Sequence, residues 1–213
     1  MEKHPRADLY IYGYYATTKN HVWDNISEQC RGLILDKDGN VVAKPFQKFW
    51  TFQQYLSDTT LLLNDNQIVE IPKCQFKILE KIDGTMATLY WIKDIPYLAT
   101  QRSFTNPKAI VATRLLHEKY SHLFSSLNKK YTYIFEVVYP ETKVIVDYKD
   151  KKDLYLIGLI ENETGQNLSL TQTGFPTCMD YTNDFKHLKN FNDIAQLNVE
   201  NQERRIEVKT SLY

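Results

Sequence analysis

The sequence predicts an α+β fold built on antiparallel sheets, and three observations support this. Most regular segments are rich in Val, Ile, Tyr and Thr, which favour strands. Several of these segments follow one another through short turns, as antiparallel strands do. Helical patterns are too few to alternate with the strands, as a doubly wound parallel sheet requires. We therefore expect antiparallel sheets accompanied by one clear helix.

The strand pattern begins with a β-hairpin. Residues 32–36 and 40–46 are apolar or β-branched and flank Asp38 and Gly39, a dipeptide favoured in tight hairpin turns. Further strands are predicted at residues 75–80, 85–92, 97–101, 131–138, 143–148 and 154–161. These short, closely spaced segments account for the antiparallel prediction.

The clearest helix begins at Asn106, which suits an N-cap, followed by Pro107 in the first helical position. It is predicted to end near Leu127, with Ala112, Leu116, Tyr120 and Leu123 on one face. A weaker helix is predicted at residues 192–201, and the charged run at residues 149–153 predicts a solvated turn.

The composition excludes proteins that bind polyanions through bulk charge. The 213 residues include 26 Lys and Arg against 26 Asp and Glu, so the formal net charge is zero. A protein that coats nucleic acid or an anionic membrane usually carries an excess of basic residues. Any polyanion would have to be bound by a local cluster of cations.

Cysteine usage and hydropathy predict a soluble protein of the cytosol. Cys30, Cys74 and Cys178 lack the C-x-x-C spacing of zinc sites and are too few for a disulfide framework. No apolar run approaches the roughly 20 residues that cross a bilayer.

No Gly-rich or Pro-rich linker divides the sequence, so residues 1–213 are expected to form a single domain. Neither G-x-x-x-x-G-K nor G-x-G-x-x-G is present.

One segment carries a chemical signal, residues 81–85, which read K-I-D-G-T. Asp83 and Gly84 between two strand patterns could form a simple hairpin turn, as predicted for Asp38 and Gly39. The other interpretation is a lysine nucleophile, Lys81, that attacks the α-phosphorus of a nucleotide. A free lysine has a pKa of about 10.4, so it must be activated by burial or by neighbouring cations. The same cations, with Mg²⁺, would neutralise a triphosphate.

Residues 81–85 resemble the K-x-D-G-[ST] motif of covalent nucleotidyltransferases, the superfamily of ATP-dependent DNA and RNA ligases and mRNA capping enzymes. The surrounding segments resemble, in order, the motifs of the phage-type RNA ligase 1 family. They are residues 30–34 (C-R-G-L-I), 44–50 (K-P-F-Q-K-F-W), 135–136 (F-E) with 143–148 (K-V-I-V-D-Y), and 154–160 (L-Y-L-I-G-L-I) with 163–165 (E-T-G). The resemblance implies an antiparallel-sheet nucleotidyltransferase (adenylyltransferase) domain of the ATP-grasp-like ligase and capping-enzyme type.

The resemblance also implies roles for individual residues. Lys81 would take AMP from ATP, Arg31 would contact the phosphates, and Glu136 would accept hydrogen bonds from the ribose or organise metal-bound water. Arg102 stands near a position where the family has a lysine. The implied nucleotide contacts are Lys81, Asp83, Gly84, Arg31, Lys48, Trp50, Arg102 and Glu136. Trp50 is equally compatible with a place in the core. The alternative for Arg31 is a surface position beside a strand, and the alternative for Glu136 is an ion pair with a neighbouring lysine.

The resemblance changes near the end of the chain. The family continues with E-G-[FY]-V, which supplies a metal-binding glutamate, and then K-x-K, which supplies phosphate contacts. Glu203 matches the first of these by one residue, but the sequence continues Arg204-Arg205-Ile206 and ends at Tyr213. We expect a C-terminally incomplete domain without a substrate domain, and the hypothesis for its origin is a frameshift after Glu203 or a truncated gene. Sequencing the coding DNA in the alternative frames tests this.

The sequence therefore predicts an ATP-dependent RNA ligase that uses Mg²⁺ and joins RNA 5′-phosphate and 3′-hydroxyl ends. The implied pathway is formation of Lys81-AMP, transfer of AMP to the RNA 5′-phosphate, and attack by the 3′-hydroxyl. A DNA ligase or a capping enzyme is an alternative enzyme. A catalytically impaired remnant that binds nucleotide or RNA is the alternative from another class, since loss of K-x-K removes two cations. No protein partner and no membrane association are inferred.

Overall fold

The computed structural model describes residues 1–14, 24–49, 76–142, 146–188, 193 and 206–210. The chain divides into two compact units. The first contains Met1–Thr17, Asn25–Lys48 and Ile82–Thr177, and the second contains Thr18–Asp24, Phe49–Lys81 and Cys178–Tyr213. In chain order the strands are β1 (Glu2–Lys3), β2 (Leu9–Gly13), β3 (Arg31–Asp36), β4 (Val41–Ala43), β5 (Phe76–Glu80), β6 (Thr85–Ile92), β7 (Ile95–Thr100), β8 (Tyr131–Val138), β9 (Asp153–Glu161) and β10 (Ile206–Thr210).

Within the first unit, the described strands form two four-stranded antiparallel sheets. The outer sheet has the order β1-β2-β3-β4 and the central sheet the order β7-β6-β8-β9. Successive side chains of a strand point to opposite faces, so each strand of the central sheet contributes to two cores. On β6, for example, Leu89 packs toward the helix, whereas Tyr90 packs against Ile11 and Ile34 of the outer sheet.

The helix α1 (Pro107–Tyr120) covers the other face of the central sheet. Asn106 caps it, because its side-chain oxygen accepts a hydrogen bond from the amide of Ala109 at 2.8 Å. Ala112 and Leu116 of the helix are fully buried against Leu98 and Phe135 of the sheet. Sheet, sheet and helix therefore form three layers. No helix among the described residues combines the length and the hydrophobicity needed to cross a membrane.

Most of the predicted elements are confirmed. The hairpin at Asp38–Gly39 forms between β3 and β4, and residues 85–92 and 131–138 form strands with the predicted bounds. The helix begins as predicted, but its last part, Ser121–Ser126, is a 3-10 helix. The charged run at residues 149–153 lies in an exposed turn that leads into β9.

Three strands were missed and one prediction is partly wrong. β1, β2 and β10 were not predicted, although residues 9–13 read L-Y-I-Y-G. The strand predicted at residues 143–148 is wrong for residues 146–148, which have no regular structure. Residues 143–145 and all of the helix predicted at 192–201 except Asp193 lie outside the described residues. Neither Cys30 nor Cys178 forms a disulfide, and Cys74 lies outside the described residues.

In the second unit, β5 pairs with β10 in an antiparallel register that matches Glu80 with Ile206 and Phe76 with Thr210. Backbone bonds also tie β5 to residues 179–181. The amide of Glu80 donates to the carbonyl of Met179, and the amide of Tyr181 donates to the carbonyl of Ile78, both at 2.8 Å. Residues 76–80 therefore have described backbone partners on both sides.

Candidate active site

One end of the central sheet collects the residues predicted to bind a nucleotide. The register pairs Ala87 with Thr100 and Thr85 with Val137, so the start of β6 lies between the ends of β7 and β8. Gly84 directly precedes β6, Arg102 follows β7, and Glu136 lies near the end of β8. Antiparallel pairing thus gathers segments that are far apart in the sequence.

The outer sheet brings Arg31 to the same end. Arg31 begins β3 opposite Gly13 of β2. A Cβ atom on Gly13 would lie 3.1 Å from the Cγ of Arg102, so the Arg102 side chain lies directly on Gly13. Gly32 has a φ of +101°, and a Cβ there would lie 3.2 Å from the Cα of Gln101. Arg31 and Arg102 therefore border the same glycine, and two close backbone approaches hold the sheets together there.

Lys48 is part of this cationic cluster. Its amide donates to the carbonyl of Glu28 at 2.8 Å, and the preceding carbonyl, that of Gln47, accepts from Nη1 of Arg31 at 3.2 Å. Burial and then the charge of Arg31 lower the pKa of Lys48 to about 8, against the opposing effect of Glu28. The site thus contains a partly desolvated ammonium group beside a guanidinium, which is the environment that a polyphosphate would stabilise.

Asp83 is held by both its backbone and its side chain. The residue is only 7% exposed. Its Oδ2 accepts a hydrogen bond from the amide of Val146 at 2.7 Å, and its own amide donates to the Tyr148 hydroxyl at 3.1 Å. A buried carboxylate needs such donors, because leaving it unsatisfied costs more than the bond itself contributes.

Gly84 lies against the backbone of β8. A Cβ atom at this position would lie 2.4 Å from the carbonyl oxygen of Val137 and 3.3 Å from the Cγ of Glu136. No side chain fits there without moving a strand. The close approach of β8 therefore requires a glycine at this position.

Glu136 faces the outer sheet. Its neighbours Phe135 and Val137 are buried in the core on the helix side, so the alternation of the strand directs Glu136 to the opposite face. The register aligns it with Met86 on β6 and Tyr155 on β9. Glu136 is therefore a carboxylate between an apolar and an aromatic side chain, on the face that carries the other site residues.

The remaining predicted residues are placed less completely. Lys81 follows β5 and is exposed. Trp50 and Glu203 lie outside the described residues, so their predicted roles stay predictions. The described residues contain no group of three or more His, Cys, Asp or Glu side chains that could hold a metal ion. A site made of protein ligands alone is therefore not present in this part of the chain.

Sequence reasoning missed several residues that build the site. Gly13 and Gln101 were not singled out, although they bring Arg31 and Arg102 together. Tyr148 was treated as the end of a strand, whereas its hydroxyl accepts the amide hydrogen of Asp83. Glu28 was also missed. Among these contacts, only the one at Gly32 had a signal in the sequence. An isolated glycine in a strand indicates a close approach of another segment or a bulge.

Phe46, from the predicted K-P-F-Q-K-F-W segment, connects this region to the central sheet. Its ring covers Gly158 of β9, where a Cβ would lie 2.3 Å from the Cζ of Phe46. The amide of Lys44 donates to the hydroxyl of Thr132 on β8 at 2.7 Å. The segment that carries Lys48 is thus fixed to β8 and β9 by a glycine contact and a hydrogen bond.

The fold is that of nucleotidyltransferases. A protein from Aquifex aeolicus described as an ATP-dependent DNA ligase superposes with a TM-score of 0.50 at 16% identity, over 88% of this chain and 54% of that chain. An RNA ligase from Naegleria gruberi, solved with pyrophosphate, aligns over 64% of this chain and 36% of that chain, with a TM-score of 0.38 and 14% identity. The first of these likenesses establishes the architecture and nothing beyond it.

The family follows from the sequence. A family model described as RNA ligase matches residues 29–211, so the chain belongs to the phage-type RNA ligase family. An RNA ligase of Rhodothermus phage RM378 is 28% identical over 186 residues, which cover 72% of this chain and 41% of the relative. RNA ligase 1 of bacteriophage TS2126 is 26% identical over 139 residues, covering 62% and 34%. The chain thus spans about two fifths or less of these relatives, and the family match continues past Glu203.

Proposed function

We propose that this chain carries the adenylyltransferase part of an ATP-dependent RNA ligase, acting in the cytosol, and that Lys81 is its nucleophile. The observation that carries the proposal is the convergence of Arg31, Lys48 and Arg102 with Gly84 and Glu136 at one end of the central sheet, in a chain of the RNA ligase family. These cations come from three separate segments, and binding of a polyanion is the simplest explanation for their assembly at one place.

The cations explain how the neutral net charge and a polyphosphate substrate are compatible. Burying the charge of Lys48 and placing it beside Arg31 are both unfavourable, and both lower the pKa of Lys48. A bound triphosphate would compensate this cost, because guanidinium and ammonium groups form charge-assisted hydrogen bonds to phosphate oxygens. The cluster would therefore gain most when a phosphate is bound, which is the arrangement that favours phosphoryl transfer.

The first proposed step is attack by Lys81 on ATP. The uncharged amine forms a bond from its nitrogen to the α-phosphorus, and the bond from that phosphorus to the bridging oxygen breaks. Pyrophosphate leaves with the electron pair, and the amine proton passes to solvent. Arg31, Lys48 and Arg102 would stabilise the negative charge on the departing phosphates. Transfer of AMP to an RNA 5′-phosphate and attack by a 3′-hydroxyl would complete the joining of the two ends.

Mg²⁺ fits this arrangement as a partner of the substrate. It keeps several waters and is usually held by one or two carboxylates together with phosphate oxygens. Glu136 offers one carboxylate on the correct face of the sheet, and Glu203 is proposed as a second. When bound, the ion would neutralise phosphate charge.

The experiment is covalent labelling. The protein is incubated with Mg²⁺ and ATP labelled at the α-phosphate. The protein is then precipitated with cold acid, and the label that precipitates with the polypeptide is counted. We expect the parent to take up label and Lys81→Ala to take up none, since no other lysine is proposed to react. The control is Lys37→Ala, which removes an equally exposed lysine near the other Asp-Gly dipeptide and should label like the parent.

Two results would overturn the proposal. An unlabelled but folded parent would favour a remnant that only binds nucleotide or RNA. Label that persists in Lys81→Ala would place the nucleophile elsewhere. The same assay with GTP tests the capping alternative, and preferred labelling by GTP would contradict an ATP-dependent ligase.

A further inference from the structure

We propose that Tyr148 is a positioning residue for the nucleophilic lysine, acting through Asp83, an inference that rests on the proposed function. The hydroxyl of Tyr148 accepts the amide hydrogen of Asp83, in the K-I-D-G segment, at 3.1 Å. The two residues are 65 positions apart, so the bond is a tertiary contact made by the fold.

The contact belongs to a pair that fixes Asp83 from two directions. The amide of Val146, two residues before Tyr148, donates to Oδ2 of Asp83 at 2.7 Å. The segment 146–148 thus provides a donor for the side chain of Asp83 and an acceptor for its backbone. Together these bonds restrict both the rotamer of Asp83 and the orientation of the peptide that joins it to Ile82.

Gly84 fixes the other end of the same short segment. Because its backbone lies against the carbonyl of Val137, movement of the chain at this point is blocked by β8. Ile82 is buried as well, at 5% exposure. Residues 82–84 are therefore immobilised by packing, by two hydrogen bonds and by a strand, immediately after Lys81 in the sequence.

The segment that holds Asp83 is itself anchored. The amide of Lys151 donates to the carbonyl of Tyr148 at 3.2 Å, which closes a turn. Two residues later Asp153 accepts hydrogen bonds from Tyr120 at 2.5 Å and from Lys119 at 3.3 Å, both at the end of α1. Tyr148 is thus connected to the helix layer through a short turn, and it transmits that rigidity to Asp83.

Rigidity at Asp83 matters for the chemistry because a nucleophile must approach phosphorus along a narrow path. A displacement of about 1 Å at a reacting group can cost on the order of a hundredfold in rate. Binding of the triphosphate is proposed to depend instead on the cluster of Arg31, Lys48 and Arg102. A positioning role therefore predicts an effect on the rate of adenylylation and little effect on the affinity for ATP.

The chain provides a matched control in Tyr133. Its hydroxyl also accepts a backbone amide hydrogen, that of Asn128, and also at 3.1 Å. Tyr133 lies near the start of β8, whereas the site residues lie at the end of that strand. Tyr133→Phe and Tyr148→Phe each remove one hydroxyl that accepts one amide, so a general loss of stability would appear in both.

The test compares single-turnover formation of lysyl-AMP, at saturating and at limiting ATP, in the parent, Tyr148→Phe and Tyr133→Phe. We expect Tyr148→Phe to lower the maximal rate by about tenfold, the equivalent of one lost hydrogen bond in the transition state, with half-saturating ATP within about twofold of the parent. Tyr133→Phe should retain the parental maximal rate even where its thermal midpoint is lowered.

Four results would contradict the inference. A parental rate in Tyr148→Phe, or an equal loss of rate in both variants, would show that the hydroxyl is only structural. A change confined to half-saturating ATP would show that Tyr148 serves binding. A parent that takes up no label would overturn the proposed function and this inference together, which distinguishes that failure from the others.

Discussion

The dipeptide Asp-Gly occurs twice in this chain, and the two copies lie in opposite environments. Asp38 and Gly39 are exposed in the turn between β3 and β4, where Gly39 has a φ of +85° and an added Cβ would meet nothing within 4 Å. Asp83 is buried, and a Cβ on Gly84 would lie 2.4 Å from a carbonyl oxygen of β8. The first glycine is needed for its backbone conformation and the second for its missing side chain.

The two aspartates differ in the same way. Asp38 pairs with the neighbouring Lys37, and its amide donates to Asp36, so all of these contacts are local. Asp83 is held by Val146 and Tyr148, which are 63 and 65 residues away. The turn is therefore formed by contacts among neighbouring residues, whereas the site depends on contacts between segments that are far apart in the sequence. At the first copy a residue that accepts a left-handed φ should therefore be tolerated in place of glycine, whereas any side chain should be damaging at the second.

Replacing the two glycines by asparagine should give the largest contrast. Asparagine accepts a left-handed φ, so we expect Gly39→Asn to change the free energy of unfolding by less than about 0.5 kcal/mol. Gly84→Asn would force its Cβ into Val137, and we expect a loss of about 3 kcal/mol and less than a hundredth of the parental labelling with ATP. Urea unfolding and the labelling assay measure both. Equal stabilities of the two variants would contradict the close approach at Gly84.

The aspartates provide the next contrast. Asp83→Asn exchanges a buried charge-assisted hydrogen bond for a neutral one and buries an amide NH₂ group. We expect a loss of about 2 kcal/mol and a marked fall in the rate of adenylylation. Asp38→Asn removes only an exposed ion pair with Lys37, which we expect to be worth at most about 0.5 kcal/mol. The same two assays apply, and a stable, fully active Asp83→Asn variant would show that the buried carboxylate is not required.

Local elements were predictable from the sequence because they depend on nearby residues. The strands at Thr85–Ile92 and Tyr131–Val138 are β-rich segments bounded by turn residues, and the helix start is specified by Asn106 and Pro107. The strand predicted at residues 143–148 failed for an instructive reason. The amide of Val146 donates to the carboxylate of Asp83, and no described strand pairs with residues 146–148.

The site residues could be named from motif resemblance, but their assembly could not be derived. Arg31 and Arg102 come together because both border Gly13, on a strand that was not predicted. That contact depends on the register between β2 and β3 and on the packing of two sheets, which no local pattern specifies. The lowered pKa of Lys48 likewise depends on burial and on Arg31, and neither can be read from residues 44–50.

The smallest predicted effect concerns the pH dependence of stability, and it contrasts Lys48 with Lys37. Lys48 has a pKa of about 8 in the folded protein, below the usual 10.5 for lysine, because of its burial and then the charge of Arg31. Between these two values the unfolded chain binds more protons than the folded one. Stability should therefore rise with pH from about 8 to about 10.5 through Lys48, and the full cost of its charge is present below pH 8.

We expect Lys48→Met to remove this rise. Between pH 8 and pH 10 the urea midpoint of the parent should therefore increase relative to that of the variant. Because Lys48 is only half-buried, solvent screening makes the gain small. Lys37→Met, which removes an exposed lysine of the turn, should follow the parental pH profile. Parallel profiles for the parent and Lys48→Met would show that Lys48 keeps its ordinary pKa. The cationic cluster would then be an open surface rather than a desolvated site that a triphosphate completes.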